Sequence, residues 1–163
     1  MVQVRVTAVG MDTATADRVI LLQETFGRGR IVAVSVGGAE ALAAVAAMER
    51  ARGSRPDTHR LIGAVLEAAG RRLVSVRVHT LRDHVFHADL QLDDGTRVDA
   101  RTSDAVVLAL WAGAGIEVAE TVLAEAGVDP GTVGVEGTRP GVDEVDAFRR
   151  FLDTAVPDDF GRP

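Results

Sequence analysis

Residues 73–104, LVSVRVHTLRDHVFHADLQLDDGTRVDARTSD, decide the fold. Leu73 to Thr80, Val85 to Leu92 and Thr96 to Ala100 read as strands. Asp93-Asp94-Gly95 between the last two is a tight-turn signal. Ser103 then serves as N-cap for a helix to about Trp111, with Gly113 or Gly115 to stop it. Long strands joined by short turns, mixed with helices, predict an α+β domain. Its sheet is mixed or antiparallel, with hairpins packed against several helices. No GxGxxG follows any strand, and Gly27-Arg28-Gly29-Arg30 lacks the length and the Lys-Ser/Thr of a phosphate loop. A doubly wound nucleotide-binding fold is therefore not expected.

Outward from that stretch, Val2 to Val9 alternates like a half-buried strand, and residues 18–26 and Ile31 to Val36 form a hairpin around the glycine-arginine turn. Gly37-Gly38 ends the third strand, and Ala39 to Ala51 reads as an Ala-rich helix. Thr58 is read as the N-cap of a helix to Ala69, with an apolar stripe of Leu61, Ile62, Val65, Leu66 and Ala69 and with Gly70 as its stop. A short strand, Ile116 to Val118, and a short helix, Ala119 to Ala126, close a domain of residues 1–127. Residues 128–141 hold four Gly and two Pro and read as a flexible linker. In residues 142–163, Val142, Val145, Phe148, Phe151 and Leu152 recur at helical spacing, which predicts a C-terminal amphipathic helix and tail.

The 163 residues fit one domain, and 47% apolar content supplies a core built from Val, Ala and Leu, since there are five Phe, one Trp and no Tyr. No apolar run reaches the ~20 residues of a membrane span, and the alternating N-terminus lacks the apolar block of a signal peptide. With no Cys, disulfides, thiolate zinc sites and cysteine nucleophiles are excluded. A cytoplasmic protein is expected. All 18 basic residues are Arg, so no lysine-dependent mechanism operates and phosphate contacts fall to guanidinium groups, backbone amides or a metal. The net charge of −6 opposes general nucleic-acid binding, but residues 50–82 hold eight Arg against Asp57 and Glu67, a local balance of +6. That distribution permits a local anion-binding face.

Several residues sit where strands or loops pass into helices, the places where sites are usually assembled. Glu40 falls in the first turn after the glycine pair, where it complements the helix dipole or serves a site. His59 suits a general base or a metal ligand, and equally a packing role. Arg55-Pro56 is a rigid loop that aims a guanidinium at an anion or simply turns the chain. Asp99 and Arg101, two residues apart on a strand, share a face as an ion pair or as site groups. Ser103 and Asp104 suit a helix start, whose amides together with Arg101 also suit a phosphate. His79, His84 and His87 are more simply read as exposed strand histidines than as a metal cluster.

Three segments carry a resemblance: Val36-Gly37-Gly38-Ala39-Glu40-Ala41, Arg55-Pro56-Asp57-Thr58-His59 and Asp99-Ala100-Arg101-Thr102-Ser103-Asp104-Ala105. In order and spacing they resemble the I-W-I-G-x-x-E-A, R-P-x-T-H-D-L and D-A-R-P-S-D-A motifs of the bifunctional nuclease family, credited with DNase and RNase activity. The tail resembles that of actinobacterial members. The resemblance implies phosphodiester hydrolysis in DNA and RNA with little sequence preference, assisted by Mg²⁺ or Mn²⁺. It implies His59, Glu40 and Asp104 as catalytic candidates and Arg55, Arg101 and Ser103 as phosphate contacts, while Arg60 is a further phosphate contact read from the chain's own departure from the motif. Asp99, Asp104 and Glu40 are the implied metal ligands. The chain departs from the pattern at Arg60, which stands for Asp, at Thr102, which stands for Pro and is expected to loosen the loop aiming Arg101, and at Ser35, which stands for Trp. Those departures leave a second expectation open, a catalytically degenerate binding or regulatory protein using the same cleft for a phosphate-bearing or other anionic ligand. An unpaired strand edge and the terminal helix together predict a homodimer.

Overall fold

A computed structural model describes residues 1–13, 15–133 and 135–136. The expected helix in residues 142–163 lies outside them. Eight strands and four helices follow one another as β1 (Val2–Asp12), β2 (Arg18–Glu24), β3 (Ile31–Val36), α1 (Gly38–Met48), α2 (Thr58–Ala68), β4 (Leu73–Arg82), β5 (Val85–Leu92), β6 (Arg97–Arg101), α3 (Thr102–Ala112), β7 (Gly115–Val118), α4 (Glu120–Ala126) and β8 (Val135–Glu136). The sheet order is β3-β2-β1-β7-β4-β5-β6, with β8 pairing on β1. All neighbours are antiparallel except β4 and β7, which run parallel. The result is an α+β domain with a mixed sheet.

The turns follow from their residues. Asp83 and His84 between β4 and β5 both take positive φ, 49° and 63°, which matches the twist of a two-residue hairpin. Gly95, at φ 86°, closes the β5–β6 turn, where Asp94 accepts a hydrogen bond of 2.9 Å from the Thr96 amide.

One helix organises the core. In α3, Ala105, Val106, Val107, Leu108 and Ala109 are consecutive and all buried, the signature of a helix enclosed on every side. Strands β3 to β7, α1 and α2 all contact it. Its small residues admit α1 closely, and α1 in turn buries Ala41, Ala44, Val45 and Ala47. Strand β2 is buried on both faces: Ile20 and Leu22 join the main core, while Val19 and Leu21 form a second cluster with Ile31 that Ala8, Ala33 and Val133 flank. Within residues 128–136, Val128 bridges Ile31, a 3₁₀ turn spans Pro130–Thr132, and β8 pairs with the end of β1.

Glu24 is 6% exposed, and its carboxylate accepts from the Arg30 amide at 2.9 Å and from the Arg30 guanidinium at 2.6 Å. Arg30 also reaches Glu120 at 3.0 Å, tying β2 to α4. The guanidinium hydrogen bond outweighs burial and lowers the Glu24 pKa below its ordinary 4.5. A lowered carboxylate pKa contributes stability above the unfolded-state value that is lost as pH falls through the folded one. Glu24→Gln is therefore expected to destabilise the domain at pH 7 and to flatten the loss of stability below about pH 4.5, read by urea unfolding at stepped pH.

Two helix starts differ from the sequence expectation. Asp57, not Thr58, caps α2: its backbone is extended and its carboxylate accepts from the Arg60 amide at 2.9 Å. Helix α3 opens at Thr102 with Arg101 in the cap position and no side-chain cap, so Ser103 is not its N-cap. Thr102 is buried and its hydroxyl donates to the Phe86 carbonyl at 2.9 Å, which pins the helix start to β5 instead of loosening it. Helix α1 ends at Met48, short of Ala51, and β1 runs on to Asp12 past a bulge between Val6 and Ala8.

Candidate active site

The three motif segments meet. Glu40 stands in the first turn of α1, Arg101 at the junction of β6 and α3, Asp104 in the first turn of α3, and His59 at the second residue of α2. Arg101 joins them. Its Nε donates to Asp104 Oδ2 at 2.6 Å and its Nη2 to Asp104 Oδ1 at 3.1 Å, a two-pronged pair. Its Nη1 donates to Glu40 Oε1 at 3.2 Å. The same Asp104 Oδ1 lies 3.2 Å from His59 Nε2. A continuous relay, Glu40–Arg101–Asp104–His59, thus links three helix starts and holds the imidazole in one orientation.

The electrostatics of the relay favour charge on its carboxylate. Burial raises the Asp104 pKa, but the hydrogen bonds from Arg101 and His59 outweigh it and leave it lowered. Arg101 is raised in turn, chiefly by Asp104. Gly37 leaves room for this arrangement: a Cβ there would lie 2.5 Å from Glu40 Oε2, so any side chain would push the carboxylate aside.

Two clefts flank the relay. One, of about 500 Å³, lies where the edge strands β3 and β6 approach, with Glu40, Asp99, Arg101 and Ser103 on its walls. The other, of about 700 Å³, is lined by His59 and by Arg52, Arg60, Arg71 and Arg72. Asp99 is exposed and stands opposite Asp89 in the β5–β6 register; Arg101 pairs with Asp104 rather than with Asp99. Arg55 is exposed, and its carbonyl accepts from Arg60 Nη1 at 3.4 Å. Arg60 lies over the Trp111 ring, 5.6 Å from its centroid. Of the three histidines expected on strands, His84 falls in the β4–β5 turn and lines the smaller cleft with His87 of β5, while His79 of β4 is exposed against Thr80.

A divalent cation fits this donor set poorly. The Arg101 guanidinium stands between Glu40 and Asp104 and already supplies the positive charge those carboxylates face. Among the described residues, no three His, Asp or Glu side chains converge so as to hold a metal.

Trp111, Arg52, Arg71 and Arg72 escaped the motif reading. The only signal toward them was the excess of Arg in residues 50–82, which gives no hint that the end of α3 would bring the single Trp beneath Arg60.

The relay is assembled from the same segments that carry the sequence resemblance, and comparison with known proteins supports the family resemblance. The bifunctional nuclease domain model matches residues 20–131. The chain belongs to the bifunctional nuclease domain family. Its relatives include two Mycobacterium tuberculosis proteins, "Uncharacterized protein MT1877" of strain CDC 1551 / Oshkosh and "Uncharacterized protein Rv1829" of strain H37Rv. Each is 38% identical over 162 residues, covering 98% of both chains. This is an actinobacterial branch of the family, consistent with the tail of the sequence. No helix among the described residues is long and apolar enough to cross a membrane.

Proposed function

We propose that this bifunctional nuclease domain protein hydrolyses phosphodiester bonds in DNA and RNA with low sequence preference, using His59 as its general base. The observation that carries the reading is the relay itself. In the tautomer that carries its proton on Nε2, toward Asp104, the other imidazole nitrogen is an acceptor, the arrangement a base needs. His59 takes a proton from water, the hydroxide attacks phosphorus, the bond to the departing ester oxygen breaks, and that oxygen takes up a proton from solvent. Arg60 and Arg52, which line the cleft with His59, offset the charge that builds on the phosphoryl oxygens. Arg101 holds Asp104, and Glu40 holds Arg101, so both act as positioning residues.

One observation favours the second reading, a degenerate anion-binding protein. Every arm of Arg101 already meets a carboxylate, and the position where the family motif carries Asp is the cationic Arg60. An assay separates the two. Purified protein on labelled single-stranded RNA and DNA, with Mg²⁺, Mn²⁺ or EDTA, is expected to cleave both, with activity following the protein peak through a second column. Tight binding without cleavage under all three conditions would establish the anion-binding reading instead.

The protein is expected to act in the cytoplasm and as a homodimer. Helix α2 buries none of its residues, and Leu61 at 52%, Ile62 at 38% and Val65 at 59% exposure form one uncharged face on it. Monomers rarely leave such a patch uncovered, and an uncharged stripe on a helix pairs readily with its own copy about a two-fold axis. Sedimentation should give twice the chain mass for the wild type and a monomer for Leu61→Glu/Val65→Glu. A monomeric wild type at micromolar concentration would refute the dimer.

A further inference from the structure

We propose that the larger cleft, beside α2, is a track for a single strand of nucleic acid, which it delivers to His59; this rests on the nuclease reading above. The cleft has two chemically distinct parts. Its rim carries Arg52, Arg60, Arg71 and Arg72 against one acid, Glu67. Its floor is apolar and includes Leu73, Leu108 and Trp111, with the exposed Val74 beside them. A duplex offers phosphates but keeps its bases stacked inside, so it would use the rim and leave the floor in water. A single strand offers both phosphates and the exposed faces of its bases, and so matches both parts. Cationic grooves with an aromatic platform are the general solution for unpaired strands, because every base has a face to stack.

The arginines are available in different degrees. The Arg52 side chain makes no hydrogen bond or ion pair among the described residues. Arg71 and Arg72 pair with Asp94 at 3.1 Å and Asp93 at 3.4 Å, but their side chains are 48% and 84% exposed. Solvent-exposed pairs of that kind hold weakly and give way to a phosphate at little cost. Arg60 is set across Trp111 and tethered to the Arg55 carbonyl, so its guanidinium is fixed one residue from His59. A base entering the cleft would pack beside Arg60 at Trp111, and its phosphate would meet the arginines that line the cleft together with His59. The cleft's volume, about 700 Å³, lies within the ordinary range for a small-ligand site.

Because Trp111 is the only tryptophan, its emission reports on this cleft alone. The test uses full-length His59→Ala protein, whose turnover is slow on the timescale of the titration, with a mixed-sequence 12-nucleotide DNA strand and the matching hairpin duplex. Fluorescence anisotropy at stepped NaCl and Trp111 emission are read together. The single strand is expected to bind at least tenfold more tightly than the duplex and to change Trp111 emission. Arg52→Ser/Arg72→Ser added to His59→Ala should weaken binding at least tenfold and reduce the salt slope by about 1.4, as expected for two lost phosphate contacts on a single strand. Arg5→Ser/Arg28→Ser removes the same charge elsewhere on the surface and should leave the affinity within twofold. Equal losses in the two pairs, equal binding of duplex, or unchanged Trp111 emission at saturation would overturn the track. Binding as described, in a wild type that never cleaves, would overturn the nuclease reading and leave the track standing.

Discussion

Replacing His59 by Ala is expected to lower nucleolytic turnover by about 10²–10⁴-fold, the contribution of a positioned general base. The loss should fall on kcat, with KM nearly unchanged, because the imidazole acts on the attacking water while the cleft arginines hold the strand. The substitution should leave the fold intact. His59 sits in the first turn of a helix that buries none of its residues, and Asp57 caps that helix independently of the imidazole. Circular dichroism of His59→Ala should match the wild type, and urea unfolding should show a loss of no more than about 1.5 kcal/mol, the worth of the hydrogen bond to Asp104. Retention of full activity by the purified variant would remove His59 from the chemistry.

The largest stability effect is expected at Leu123 on α4, whose side chain is fully buried at 0% exposure. Leu123→Ala removes three carbons from an enclosed position, and the cavity left behind adds to the lost transfer free energy. A loss of about 2–5 kcal/mol in urea unfolding is expected. The contrast is Val85→Ala at the start of β5, where the side chain is 55% exposed and the loss should stay within about 1 kcal/mol. Equal losses at both positions would mean that α4 does not close the core.

The strands were legible because their apolar alternation and turn residues act locally. Asp93-Asp94-Gly95 and Gly27 to Arg30 punctuate hairpins that the sheet contains. What stayed hidden depends on distant partners. Residues 115–118 form a strand too short to announce its place, yet β7 sits between β1 and β4 and makes the sheet mixed. Pro56-Asp57-Thr58 offers two capping side chains, and the Asp57 carboxylate takes the role because its backbone is the extended one. Thr102 looked like the loss of a stiffening proline, but the Phe86 carbonyl that receives its hydroxyl lies 16 residues back.

The site was legible in its members more than in its wiring. Glu40, His59, Arg101 and Asp104 are all motif positions, and the structure brings them into one chain of contacts. Arg101 had two carboxylates within reach along the sequence, Asp99 and Asp104. The turn from β6 into α3 swings it toward Asp104, so Asp99 is left facing solvent opposite Asp89. Under the proposed function Arg101 positions the relay rather than contacting phosphate, and the proposed phosphate contacts are Arg60, a motif position, and Arg52, which no motif marks.

The most direct test of the account is a double-mutant cycle on kcat/KM for cleavage of a single-stranded oligonucleotide, with His59→Ala, Asp104→Asn and the two combined. If Asp104 acts only through the imidazole, the double variant should be no slower than His59→Ala alone, and Asp104→Asn by itself should account for much of the loss. Losses that multiply, or an Asp104→Asn protein as active as the wild type, would show that the relay is not the catalytic unit.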